Sequence, residues 1–212
     1  MSRLLLIVAL LAGISFQFVK DLPPGAGLIA WKGAGVALLA SWAAGEARNR
    51  EGWLLVAMLT FGALGDVLLE TSGTVVGAVA FLIGHVLAIA LYLGVPRGRL
   101  GRSIVAAVAS AVIISGVAFA LTRDGGVAIY GLVLGGMAGA ALTSRFDRHL
   151  VGLGAALFVF SDLLIFAKSS VLAGSHLPGL LIWPTYFAGQ TLIAIGVVRG
   201  LRGGLGRPIS AR

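Results

Sequence analysis

Apolar residues run along this chain in eight long windows separated by short polar breaks, approximately over residues 4–19, 25–44, 53–69, 73–95, 103–122, 127–143, 150–167 and 178–198. A hydrocarbon core about 30 Å thick is crossed by roughly 20 such residues in a helix, so the pattern predicts eight transmembrane helices. The breaks are too short to hold a soluble domain. A single all-α, polytopic membrane bundle spanning residues 1–212 is therefore expected.

Composition agrees with that class: 58% hydrophobic, 11% charged and 32 glycines in 212 residues, with a mean hydropathy of +1.03, describe no water-soluble domain. Arg3 followed by an apolar run resembles a secretory signal peptide, but Phe16, Gln17 and Phe18 stand where a cleavage site wants small residues, and the first window is taken as a retained helix. Without cysteine there are no disulfides and no thiol chemistry.

A net charge of +8 in a soluble protein would suggest nucleic acid; here its distribution gives it another meaning. With eight spans, one face collects Arg3, Arg48, Arg50, Arg97, Arg99, Arg102, Arg145, Arg148, Arg199, Arg202, Arg207 and Arg212, against Lys20, Arg123 and Lys168 on the other. By the positive-inside rule both termini are cytoplasmic, as in a multi-pass inner (plasma) membrane protein, and a count of seven or nine spans would scramble the asymmetry. No nucleic-acid partner is expected; membrane lipid is.

Two aspartates break the apolar pattern, Asp66 in the third window and Asp162 in the seventh. At 1.5 Å per residue both fall about 18–20 Å from the inner surface, and Lys32 falls at a similar level. His85 and Gln190 come out near the midplane, completing a polar layer in the outer half. Ionisable groups at membrane depth are expensive and usually functional, although a helix-joining hydrogen bond is the plainer alternative.

An internal echo accompanies the layer. Gly65-Asp66-Val67-Leu68-Leu69 matches Ser161-Asp162-Leu163-Leu164-Ile165, and Phe81-x-x-Gly84-His85-x-Leu87 matches Tyr186-x-x-Gly189-Gln190-x-Leu192. Paired windows lie four spans apart, which suggests a parallel four-plus-four pseudo-repeat about an axis along the membrane normal. Glycine and leucine are common enough here for short matches to arise by chance. If the repeat holds, Asp66 and Asp162 face one another. Two carboxyl groups sharing one dry site divide their protons, so that one serves as an acid and the other as a base at neutral pH.

The remaining polar residues have two readings each. Lys32 is an ion-pair partner for an aspartate, an anchor for a ligand phosphate, or a side chain snorkelling to the outer interface. His85 shares a helix face with Phe81 and Tyr92 and points into a pocket or a packed interior. Trp183, Tyr186 and Gln190 form one stripe at i, i+3 and i+7, suited to lining a lipid-tail slot, or Trp183 belongs to the interfacial aromatic belt. Glu70 is a solvated charge near the outer mouth. Gly131-x-x-x-Gly135-x-x-x-Gly139 in window six signals close helix packing. No P-loop or serine-nucleophile elbow is present, and with His149 and His176 in loops no His-rich metal site is expected.

These residues, in this order, resemble the YhhN family: Lys32, Gly65-Asp66-x-Leu68-Leu69, Phe81-x-x-Gly84-His85, Tyr130 with Met137, Gly154-Ala155-x-x-Phe158-x-x-Ser161-Asp162, and Tyr186-x-x-x-Gln190. The likeness runs from window two to window eight; Lys32-Gly33 departs from the Lys-Pro of many members. It implies an integral membrane hydrolase that cleaves the vinyl ether bond of a lysophospholipid substrate, lysoplasmalogen, releasing a fatty aldehyde and a glycerophospho-headgroup, without a cofactor. Such chemistry needs an acid, a carboxylate to steady an oxocarbenium ion, and a positioned water. Asp66 and Asp162 suit the first two roles in an open order, with His85, Tyr186, Gln190, Lys32 and Ser161 as candidates for positioning substrate and water. A proton-coupled transporter would share a buried acidic pair, but would often break its helices at the site. Pro178 and Pro184 are expected at the start of helix eight, outside its polar segment.

Overall fold

A computed structural model describes residues 2–205; Arg207 and Arg212, counted above with the basic face, lie outside the described residues. Among these, eight α-helices are present: α1 (Ser2–Val19), α2 (Ala26–Glu46), α3 (Arg50–Thr71), α4 (Thr74–Leu93), α5 (Leu100–Thr122), α6 (Gly125–Thr143), α7 (Leu153–Lys168) and α8 (Leu177–Arg202). Seven spans are long and apolar enough to cross a membrane, α7 counting among them together with the turn before it, as Arg148–Lys168, while α1 is a shorter apolar helix over Arg3–Val19. The chain is a multi-pass membrane protein.

The helices extend beyond several expected windows because caps, not hydropathy, set their ends. Asn49 accepts the Gly52 amide to start α3 at Arg50, and Asp124 accepts the Gly126 and Val127 amides to start α6. Asp147 accepts the His149 amide and opens one π-helical turn, Arg148–Gly152, ahead of α7. Two-residue turns reverse the chain at Ser72-Gly73 and Arg123-Asp124. Gly73 takes φ +91° there, a conformation a side chain disfavours.

Pro184 corrects one expectation. It lies inside α8, two residues before Tyr186, and α8 continues through it. Proline has no N–H to give the carbonyl four residues back. Gln17 of α1 donates its side-chain amide to that carbonyl, Leu180 O, at 3.3 Å.

Packing follows from glycine. α5 and α6 touch closely: a Cβ at Gly139 would meet Ala106 O at 2.5 Å, and one at Gly135 would collide with Ser110 O. α7 and α8 cross where Gly154 and Gly189 each approach the other's carbonyl; a Cβ on either would stand 2.8 Å from it. The sequence α2, α3, α4, α6, α7, α8 closes into a ring, with α8 returning to α2 and α3, α1 leaning outside on α2 and α8, and α5 outside on α6 and α7.

Candidate active site

The ring directs its polar side chains inward. Asp66 on α3 is 2% exposed and Asp162 on α7 5%, so neither carboxyl faces lipid. About 7 Å of helix separates Asp66 from the end of α3 at Thr71, and about 9 Å separates Asp162 from the end of α7 at Lys168, which puts both toward the side carrying the α3–α4 and α7–α8 connections. Lys32, Tyr130 and Tyr186 stand in the early turns of α2, α6 and α8 on that same side, whereas His85 and Gln190 lie deeper along α4 and α8.

Each aspartate has its own tyrosine. Tyr186 donates its hydroxyl to Asp66 Oδ2 at 2.9 Å, and Gln190 Nε2 approaches the Tyr186 hydroxyl at 3.5 Å. On the opposite wall Tyr130 donates to Asp162 Oδ2 at 2.8 Å. His85 Nε2 is 3.1 Å from the Tyr130 hydroxyl and 4.0 Å from Asp162 Oδ2. A hydroxyl has one proton. With that proton on Asp162, Tyr130 accepts from His85, so Nε2 carries the imidazole hydrogen and Nδ1 is left as an acceptor.

Aromatic rings join the two walls. Phe158 meets the Tyr186 ring edge-on at 5.2 Å and the His85 ring at 4.9 Å, and Phe81 meets Tyr186 at 5.8 Å. A continuous path thus runs from Asp66 through Tyr186, Phe158, His85 and Tyr130 to Asp162. Low dielectric strengthens every such interaction.

Glycines in α3 make room for this arrangement. A Cβ at Gly65 would stand 2.7 Å from the Phe81 ring, and one at Gly62 would stand 2.7 Å from Gln190 Nε2. Below the carboxyl layer lies a small space of about 10 Å³, the size of a single water molecule, lined by Met58, His85, Met137, Phe158, Gln190 and others. Gln190 Oε1 is buried and makes no hydrogen bond among the described residues. Whichever end of the amide turns to Tyr186, the other is left facing a partnerless interior.

The other expected site residues divide. Lys32 Nζ pairs with Glu70 Oε1 at 2.6 Å rather than with an aspartate. Glu70, expected as a solvated end charge, is that partner, one helical turn beyond Asp66. Gly33, noted above as departing from the Lys-Pro of many family members, packs closely: a Cβ there would stand 2.7 Å from Val67 Cγ2, and α2 passes through without a break. Ser161 turns away from the chamber and donates to Ile182 O at 3.2 Å, joining α7 to α8. Trp183 anchors α1 by donating to Gly13 O at 2.7 Å and packing on Phe16, and its ring also lies against Tyr186 at 5.6 Å. Among the described residues no three His, Cys, Asp or Glu side chains gather closely enough to hold a metal ion.

Tyr130 was the residue missed as a partner of Asp162. The chain has three tyrosines, and one at the depth of the aspartates was a signal that a buried phenol needs a hydrogen-bond partner.

A family model, the YhhN family, matches residues 28–197. Curated relatives include the lysoplasmalogenases of Mycobacterium bovis and Mycobacterium tuberculosis, each 31% identical over 199 residues, covering 84% of this chain and 76% of the relative. No solved structure matches the chain significantly.

Proposed function

The chain belongs to the YhhN family, and from that premise we propose that it is a membrane-embedded hydrolase that cleaves the vinyl ether bond of lysoplasmalogen or a related lysolipid. The observation that carries this reading is the pair of buried aspartates, each hydrogen-bonded to a different tyrosine inside one helical ring.

The reaction requires only acid, base and water. The protonated carboxyl gives its proton to the β-carbon of the vinyl ether, and the electron pair of the double bond forms the new C–H bond. The resulting oxocarbenium ion is steadied by the ionised carboxyl, which then takes a proton from the attacking water. The hemiacetal so formed collapses: the carboxyl that took the water's proton gives it to the glycerol oxygen as the C–O bond to glycerol breaks, the other carboxylate takes the hemiacetal hydroxyl proton, and the fatty aldehyde leaves with both carboxyls back in their starting states. Tyr130 and Tyr186 fix the carboxyl oxygens, His85 holds Tyr130 in its donating orientation, and the free Gln190 carbonyl holds the water. Lys32, at the rim, contacts the headgroup phosphate.

The eight-span count, the cytoplasmic termini and the four-plus-four repeat belong to this proposal. Support for the repeat is that α4 leans on α6 as α8 leans on α2, that α1 and α5 are both peripheral, and that Asp66 and Asp162 occupy equivalent helices. The test is direct. Purified protein in detergent is incubated with lysoplasmalogen and aldehyde is measured; release that disappears in Asp66→Asn and Asp162→Asn supports the reading, and no release by wild type, or equal release by the variants, defeats it.

A further inference from the structure

On the side of the bundle opposite the aspartates, a groove of about 520 Å³ opens between the α4–α5 connection, the α6–α7 connection and the last turns of α8. Its lining includes Arg97, Arg145, Arg148, Arg199 and His149, with Asp147 as the acid among them. We propose that this groove binds the phosphate of an anionic phospholipid headgroup, as a site separate from the catalytic chamber.

Charge is the first argument. Asp147 spends its carboxylate on capping the His149 amide at 2.8 Å, and Glu46, on the same side, is paired with Arg202. Among the described residues, the guanidinium groups of Arg145, Arg148 and Arg199 have no hydrogen-bond or ion-pair partner. A general excess of arginine on one face accounts for orientation in the membrane. It does not account for converging several arginines on one concavity.

Rigidity is the second. Arg97 donates Nε to Ser144 O at 3.1 Å and a terminal nitrogen to Phe146 O at 2.9 Å. Next to it, Arg97 N–Thr143 O and Arg145 N–Val95 O bonds tie the two connections into a short antiparallel bridge. Glycines on α8 seat this assembly: a Cβ at Gly200 would stand 2.7 Å from the Phe146 ring, and one at Gly196 2.6 Å from Val151 Cγ2. The backbone carrying the guanidiniums is therefore held before any ligand arrives, which lowers the cost of binding.

The ligand class follows from fork geometry and depth. Arginine presents parallel donors that match two phosphate oxygens, and the volume exceeds a single phosphate ion and suits a glycerophosphate group. The groove lies where the helices end, at headgroup level, with Leu150 and Leu205 adding apolar wall for the start of an acyl chain. Along α3, Arg50 is about 24 Å from Asp66. A lipid held here cannot place its ether bond at the carboxyls.

The test uses the full chain in phosphatidylcholine nanodiscs containing a minority of phosphatidylglycerol, with the lipids retained on the protein counted by native mass spectrometry. Wild type should retain phosphatidylglycerol about tenfold above its share of the bilayer. Arg148→Gln/Arg199→Gln should lose that enrichment, while Arg99→Gln/Arg102→Gln, which removes equal charge from the same face outside the groove, should keep it. Arg145→Gln alone, as a milder variant, should lower it severalfold. No enrichment by wild type, or equal losses in both double variants, overturns the proposal. So does full displacement of the lipid by millimolar inorganic phosphate, which would make the site one for the free ion.

Discussion

Tyr130 gives its hydroxyl proton to Asp162 at 2.8 Å, while Tyr186 does the same for Asp66 at 2.9 Å from the other wall of the ring. Hydrogen bonds to charged groups contribute about 1.5–3 kcal/mol. Tyr130→Phe should therefore lower kcat by about ten- to a hundredfold through a misplaced Asp162. Measuring kcat and KM separately checks the role: a fall in kcat with KM unchanged supports it, and an unchanged kcat removes Tyr130 from the machinery.

Asp66→Asn and Asp162→Asn each retain an oxygen that accepts from the same tyrosine, so folding should survive while proton transfer does not. General acid or base catalysis contributes roughly 10²- to 10⁴-fold. Each single variant should lose activity within that range or beyond, and the double variant little more, because groups acting as one unit are not additive. Additive losses in the double variant would show two independent contributions.

Much of this site was legible in the sequence, and the reasons are physical. Carboxyls inside apolar windows are conspicuous because lipid excludes them, so Asp66 and Asp162 announced themselves; helix counting then placed Lys32 at a similar level and His85 and Gln190 near the midplane. What helix counting cannot give is azimuth about each axis. Ser161 and Asp162 are adjacent, yet successive residues diverge by about 100° around a helix, and one meets the Ile182 carbonyl while the other enters the ring. Pro184 differs from expectation for a related reason: it is tolerated mid-helix because Gln17, on another helix, takes the carbonyl it frees.

Gly62 tests whether Gln190 matters for the reaction. A Cβ there would come within 2.7 Å of Gln190 Nε2, the mobile end of a side chain. Gly62→Ala should push the amide off the small space and reduce kcat at a cost in stability of only about 1 kcal/mol. Gly135→Ala, which meets backbone of α5, should do the reverse: lower Tm with kcat nearly unchanged in the surviving protein. Equal effects of both on kcat would argue against a positioning role for Gln190.

Lys32 and Glu70 form an ion pair in which Glu70 is about half exposed, 48% against 17% for the lysine. Such pairs contribute about 0–1 kcal/mol to stability, so neither Lys32→Gln nor Glu70→Gln should move Tm far. Their kinetics should differ. Losing the lysine removes a contact to the substrate phosphate and should raise KM about tenfold, whereas losing the glutamate frees the lysine and should leave KM equal or lower. If the two variants behave alike, the pair is structural and the rim does not read the headgroup.

Met58 and Met137 line the small space beneath the carboxyls, and at about 10 Å³ it holds no alkyl chain as it stands. A substrate whose ether bond reaches Asp66 and Asp162 from the α3–α4 side must send its chain past these two thioethers, which are unbranched and change rotamer readily. Filling that route with a rigid ring should act as a ruler. Met137→Phe should reduce kcat/KM for long-chain lysoplasmalogen about tenfold while sparing short-chain substrate, since a buried methylene contributes about 0.8 kcal/mol and displaced ones forfeit it. Met58→Phe, on the facing wall of the same space, should shift the length preference in the same direction. A uniform loss at every chain length in both variants would mean that the chain leaves the ring sideways, between helices, and not along its axis.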